Sequence, residues 1–362
     1  MEQHMDAIVN GVPQGQVGSF LMNRGTTPDG NFDVGLLRPY ITKNKQGQWI
    51  YAVNSGGQER IVNSAVLRKE EWVEYDKALL FAARQRLIGV ADLMSRGLTY
   101  TMAGGWGKTV LEYEEMSGMN AAEINMDGVT RGRNDRVTFN IKYLPLPIVH
   151  KAFQINARVL AASRNGSSAL DTTQVTESAY KVAEYLEAML FTGVSSYAFG
   201  GGTIYGYLDY PQRITGSLGV HWNDLTDEST VSAGQHIIAK ILDMKQKSID
   251  ANHYGPWVLY IPAAYEHVLE TDYLPNYPGT IRERILKISG IQDVKVPDKL
   301  TADNVLLVQM TPDVVQWVTG MPLSNVEWST EGTMVHNFKV MTIQVPRIRS
   351  DADGNTGVVH YS

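Results

Sequence analysis

The residues Gly104, Gly105, Gly107, Lys108 and Thr109, within TMAGGWGKTVLEY (101–113), carry the spacing in this chain that comes nearest to nucleotide chemistry. A phosphate-binding loop reads G-x-x-x-x-G-K-[ST]: backbone N–H groups between the two glycines cradle phosphate, and the lysine reaches it. Counting back from Gly107 puts Met102 where the first glycine belongs. Gly104 or Gly105 would close the loop too early to wrap a phosphate, and Arg96-Gly97 interrupts any strand leading in. The segment does not predict nucleotide hydrolysis, so its glycines and Trp106 need another reason.

Other chemistry is equally short of partners. The chain has no cysteine, which excludes disulfides, thiolate nucleophiles and cysteine–zinc sites. Its eight histidines show no metal-ligand spacing, and no G-x-S-x-G is present. Phe199-Gly200-Gly201-Gly202-Thr203 lacks the third glycine of a dinucleotide fingerprint and follows a helical pattern. Asp351-Ala352-Asp353-Gly354-Asn355 resembles the start of a calcium loop, but its glycine comes two places early and Ser362 stands where the closing glutamate belongs. An exposed turn is expected there. The carboxylates Glu114-Glu115 read as solvated. No catalytic residue, cofactor or metal is expected. The basic cluster Arg131, Arg133 and Arg136 reads either as a solubilising loop or as ion-pair donors to an adjoining subunit.

Composition points the same way. Charged residues make up 19% of the 362, below the usual ~25%, while apolar residues are near normal at 43%. A chain short of surface charge often covers its surface with copies of itself. Net charge is −6 with no basic tail, so electrostatic capture of nucleic acid is not expected. A wall enclosing DNA without gripping it would tolerate this balance. The start lacks a basic and apolar leader, and no apolar run approaches the ~20 residues needed to cross a bilayer, so a cytoplasmic protein is expected.

The elements that must position these residues follow from periodicity. Residues 1–63 hold isolated apolar pairs and one hairpin pattern, RPYITKNKQGQWIYAVN, whose Trp49, Ile50, Tyr51 and Val53 seek burial. From Lys69 to Arg96 one helix is predicted, with Trp72, Tyr75, Leu79, Ala83, Leu87, Val90 and Met94 on its inner face and Gly97 ending it. Residues 98–142 read as a long β-hairpin. Its glycines are mixed with Trp106, Tyr113, Met116, Met119 and Met126, apolar side chains that the segment cannot cover by itself. A second helix is expected over 171–192, capped by Asp171 or Thr172, striped by Val175, Ala179, Val182, Leu186 and Leu190, and stopped by Gly193. Beyond it come a helix at 231–249, a buried strand WVLYIP (257–262), a helix TIRERILKI, strands IQDVKVP and NVLLVQM, a helix PDVVQWV, and two closing strands around Glu331-Gly332.

This order of parts resembles the major capsid protein of tailed bacteriophages, the Hong Kong ninety-seven fold, in its encapsulin-like branch. The phrases that carry the resemblance are EEWVEYDKALLFAARQRLIGVADL before the loop, LPLPIVHKAFQINARVLAASR leading to the second helix, IYGYLDYPQR after it, and YGPWVLYIPAAYEHVL, GIQDVKVPDKL and VLLVQMTPDVVQWVTG in the following lobe. It covers residues 64–362 well and the arm loosely. It implies an α+β fold with an N-terminal arm (1–63), a peripheral domain (64–97, 143–199 and 321–362) containing a long spine helix, an extended β-hairpin called the E-loop (98–142), and an axial α/β domain (200–320). It implies self-association into pentamers and hexamers, an icosahedral-type shell around double-stranded DNA, and portal and scaffolding or decoration proteins as partners. The location implied is the virion capsid, assembled in the host bacterial cytoplasm. Trp49, Tyr51, Trp106, Tyr113, Met119, Met126, Arg131, Arg133 and Arg136 are then the expected subunit-interface residues. Encapsulins usually begin near the first helix, so an arm of about sixty residues favours a viral shell. An encapsulin-like compartment around a cargo enzyme and a soluble α/β enzyme are the competing readings.

Overall fold

A computed structural model describes residues 8–9, 12–13, 38–44, 46–55, 58–61, 67–86, 88–116, 126, 139–165, 172–225, 232–274, 277–330, 334–351 and 354–362. The short strands β1 (Ile8–Val9) and β2 (Val12–Pro13) pair with each other. The arm strands β3 (Tyr40–Lys43), β4 (Trp49–Ser55) and β5 (Gln58–Ile61) then form a four-stranded sheet with β6 (Leu67–Arg68), which follows the arm, in the order β5-β4-β3-β6. The expected hairpin is β3–β4, with Tyr40 opposite Ala52 and Lys43 opposite Trp49. Strand β5 has no apolar alternation to announce it, since all four residues of QERI are exposed; its ladder to β4 makes it a strand.

The helix predicted over 69–96 is two segments, Lys69–Arg86 and Ile88–Ser95. The break re-phases the apolar stripe, so Leu93 is buried while Met94, expected inside, is exposed. Trp72, Tyr75 and Val90 are buried as predicted, and the side chains of Leu79, Ala83 and Leu87 lie outside the described residues. Gly97, at φ +72°, ends the second segment: its N–H donates to the Met94 carbonyl and that of Leu98 to the Leu93 carbonyl, a Schellman closure.

The long helix Thr173–Thr192 follows its prediction closely. Thr172 is the N-cap, all five stripe residues are buried, and Gly193 at φ +72° stops it. The helix also buries one acid, Glu187, which no apolar stripe signals. Glu187 accepts from the N–H groups of Gly89 (2.8 Å) and Val90 (3.4 Å), satisfying orphan donors at the start of the Ile88–Ser95 helix. Burial pushes its carboxyl up to about 7 against the pull of those two hydrogen bonds.

The remaining strands are β7 (Thr99–Thr101), β8 (Val110–Met116), β9 (Phe139–Pro145), β10 (Val149–Asn156), β11 (Val194–Phe199), β12 (Gly202–Ile204), β13 (Ile214–Gly216), β14 (Trp257–Tyr260), β15 (Asp272–Leu274), β16 (Tyr277–Thr280), β17 (Ile291–Lys295), β18 (Val305–Gln309), β19 (Val315–Thr330), β20 (Val335–Ile348) and β21 (Val358–Tyr361). A four-stranded sheet, β10-β20-β19-β7, packs with the Thr173–Thr192 helix and the arm around one core. A five-stranded sheet, β13-β21-β18-β14-β17, packs with the helices Ala233–Asp250, Glu266–Leu269 and Ile281–Leu286 around a second.

Two expectations are corrected here. PDVVQWV is not a helix: after a turn at Thr311–Val314, Val315 opens β19, which ladders against β20 on one side and parallel to β7 on the other. Its β-branched valines lose little in a strand, and pairing of thirteen residues with β20 overrides a weak helical period. The segment 321–362 is also not one closing unit. Strand β21 enters the five-stranded sheet, antiparallel to β18 and parallel to β13, with all four of its residues buried.

Candidate functional site

Among the described residues no group of three or more His, Cys, Asp or Glu is placed to hold a metal, and no described helix is long and apolar enough to cross a membrane. The calcium-like turn closes on itself: Asp351 accepts from the backbone and side chain of Asn355 at 2.6 and 2.9 Å. The distinctive surfaces are instead the β8–β9 hairpin and the arm sheet.

The glycine cluster does not belong to the hairpin. Strand β7 is part of the body sheet, Gly105–Gly107 form a tight 3-10 turn, and the hairpin ladder begins at Val110 opposite Pro145. Gly104 adopts φ +65°, and a Cβ on Gly105 would lie 2.3 Å from the Gly320 carbonyl oxygen, so the turn is pressed against β19. This answers why the segment is glycine-rich, and it corrects the reading of Trp106. That side chain is 4% exposed within its own subunit, in the core it shares with the β19 and β20 strands, and is not free to anchor a neighbour.

The hairpin has two unlike faces because side chains alternate across a strand. On the inner face Leu111 lies opposite Leu144, Tyr113 opposite Lys142, and Glu115 opposite Asn140. Leu111 and Tyr113 pack against the core, and Lys142 reaches Glu115 at 3.5 Å. Tyr113, held under the guanidiniums of Arg347 and Arg349, has its phenol raised to about 12, mainly by burial and then by Glu115. On the outer face Phe139, Ile141 and Tyr143 form a row along β9, beside Glu112 and Glu114 of β8. Phe139 and Ile141 are each 56% exposed. None of the three was singled out from the sequence, although the alternation in FNIKY was the signal for them.

On the arm, Trp49 (60% exposed) and Tyr51 (44%) stand on one face of β4, while Ala52 and Val53 are buried. Lys43 and Arg68 lie over the Trp49 ring at 4.7 and 5.9 Å, which holds the indole outward. Met126 is fully exposed. Met119, Arg131, Arg133 and Arg136 lie outside the described residues. Tyr113 and the hairpin's outer row therefore share one element, Trp49 and Tyr51 share another, and Trp106 leaves the set.

What this geometry presents is apolar rows on thin, two-faced elements. Known proteins of similar shape agree with the architecture. The chain is 16% identical, with a TM-score of 0.59, to a virus-like particle from Pyrococcus furiosus, over 81% of this chain and 100% of that one. It is 12% identical, with a TM-score of 0.53, to the capsid of Myoviridae phage XM1, over 70% and 85% of the two chains. By sequence it is 22% identical over 242 residues to the type 1 encapsulin shell protein EncA of Myxococcus xanthus (strain DK1622), covering 66% of this chain and 71% of that protein. The fold is thus the Hong Kong ninety-seven capsid fold in its encapsulin-like form, with mixed helices and sheets as expected. With residues 62–361 matched, the chain belongs to the family described as a family of unknown function, DUF6260.

Proposed function

We propose that this chain is a shell-building protein whose copies associate head to tail into pentameric and hexameric rings that tile an icosahedral-type shell around the double-stranded DNA of a tailed bacteriophage. The observation that carries the reading is the β8–β9 hairpin, which on a Hong Kong ninety-seven body turns the apolar row Phe139, Ile141 and Tyr143 toward solvent. Heterologous contacts that close into rings need such a surface, and stable ones bury ~1,600 Å² in total. In this reading the hairpin from about Val110 to Pro145 is the E-loop and residues 1–63 are the arm that wraps a neighbour. The interface residues are Trp49, Tyr51, Tyr113, Met119, Met126, Arg131, Arg133 and Arg136, joined by Phe139 and Ile141. The axial domain is the lobe of the five-stranded sheet, strand β21 included. Portal and scaffolding or decoration proteins complete the particle, which assembles in the host bacterial cytoplasm. The protein's own role is structural.

A second reading, a compartment enclosing a cargo enzyme, draws support from the likeness to the EncA shell protein. Expressing the full chain and following it by sedimentation and negative-stain imaging tests both. Closed megadalton particles are expected. Subunits that stay monomeric or dimeric under every condition would defeat both readings. Deleting residues 1–30 should weaken or misdirect assembly if the arm wraps a neighbour.

A further inference from the structure

Arg347 and Arg349 sit two residues apart where β20 ends, on one side of the strand, and both guanidiniums stand over the Tyr113 ring, at 5.7 and 5.6 Å. Arg347 also stands over Tyr100 at 4.9 Å. It is 5% exposed, and its Nη2 donates to Gln316 Oε1. The Nε of each arginine is buried without an acceptor. Among the described residues, no carboxylate forms an ion pair with either side chain. Glu115, the acid on the inner hairpin face, is taken by Lys142. Between β7 and β8 lies a cavity of about 480 Å³, lined by Tyr100, Tyr113, Ile141, Arg347 and Arg349 and bordered by Glu112 and Glu114.

A buried guanidinium without a carboxylate is unfavourable, and two side by side repel each other. Burial, then Arg349, lowers the Arg347 guanidinium to about 10. The aromatic faces offset only part of this cost. The group that completes such a pair has two coplanar oxygens that accept from a guanidinium fork.

We propose that Arg347 and Arg349 are a receptor for a carboxylate side chain presented by a second copy of this chain, seated in the cavity between Tyr100 and Tyr113. The source of the carboxylate rests on the shell-forming reading. Two observations favour it over an extended polyanion. Glu112 and Glu114 line the cavity and repel a run of phosphates. Ile141 lines the cavity and also belongs to the outward apolar row, so one docking event covers the row and fills the site. A chain with 38 acidic residues and net charge −6 has carboxylates to present.

The test compares the full chain with Arg347→Gln, Arg349→Gln and the pair together. Particle dissociation and subunit unfolding are followed separately in urea over a range of sodium chloride, with inorganic phosphate as a competing oxyanion. The double variant should raise the free-subunit concentration about tenfold or more, the size expected for losing a charge-assisted fork. Dissociation should lose most of its salt dependence, while unfolding of released subunits stays put. Phosphate should loosen wild-type particles but not the variant's. If the double variant does not fold, Arg349→Gln alone serves the same readouts. Particles of the variants as tight and as salt-sensitive as wild type would overturn the proposal. If the wild-type chain forms no particles, the shell reading fails on its own. In that case, phosphate protection of free subunits that is lost in the double variant would overturn the second copy as the source, and no protection would overturn the site itself.

Discussion

The five-stranded sheet and the β8–β9 hairpin draw on the same alternating apolar alphabet and dispose of it differently. In the sheet, every residue of β14 and β18 is buried, because helices and neighbouring strands cover both faces. In the hairpin one face packs on the body, and the other leaves Phe139 and Ile141 in water. Two strands alone hold a marginal amount of structure. A sequence that nevertheless keeps an aromatic and an isoleucine on the wet face is suited to a cover that comes from outside. The comparison separates residues that hold the subunit together from residues that its own fold leaves uncovered.

Trp106 offers the largest test of that separation. If it belongs with the buried set, Trp106→Ala should cost the subunit ~3–5 kcal/mol, read as a lower urea midpoint for unfolding of released subunits. An unchanged midpoint accompanied by lost assembly would return Trp106 to the interface.

Glu187 comes next, since it also serves the interior. Its folded-state carboxyl is raised to about 7 from an ordinary 4.5, so the folded form binds the proton more tightly than the unfolded form. Its contribution is complete below about 4.5 and is lost as pH climbs through about 7. The resulting decline is on the order of 3 kcal/mol. Thermal melts of released subunits should show it, and Glu187→Gln should flatten the profile. A wild-type melt that does not move between those limits would show the carboxyl to be less desolvated than its burial implies.

Phe139→Asp combined with Ile141→Asp probes the other side. Subunit stability should stay within about 0.5 kcal/mol, as for surface changes generally, while free subunits replace particles. A large loss of subunit stability would mean that the outer row is covered by its own chain. The smallest effect is expected from reversing Arg131 and Arg133 to glutamate. Each exposed pair is worth ~0.2–1 kcal/mol, so assembly yield should fall modestly. An unchanged yield restores the reading of that cluster as a solubilising loop.

Legibility followed the same divide. The Thr173–Thr192 helix was readable from its stripe and Gly193, and the arm hairpin from its alternation about Asn44–Gly47. The candidate surfaces were less readable. Trp49 and Tyr51, whose pattern implies burial, stand exposed on one strand of the subunit, whereas the alternation that marks Phe139 and Ile141 lies beside glycines and methionines that obscure it. Arg347 and Arg349 carried no local sign of being unpaired, because that depends on which carboxylates the fold brings near.

The amino-acid sequence by itself determined local choices: where the Thr173–Thr192 helix starts and stops, where Gly97 and Gly193 turn the backbone left-handed, and which arm strands alternate. These depend on residues within a few positions of one another. Only the tertiary structure decided that PDVVQWV extends instead of coiling, that Trp106 turns inward, that the last strand joins a distant sheet, and that Glu187 serves a helix 98 residues away. Each of those outcomes is set by partners remote in the chain, whose pairing and burial outweigh the small local preferences that periodicity can register.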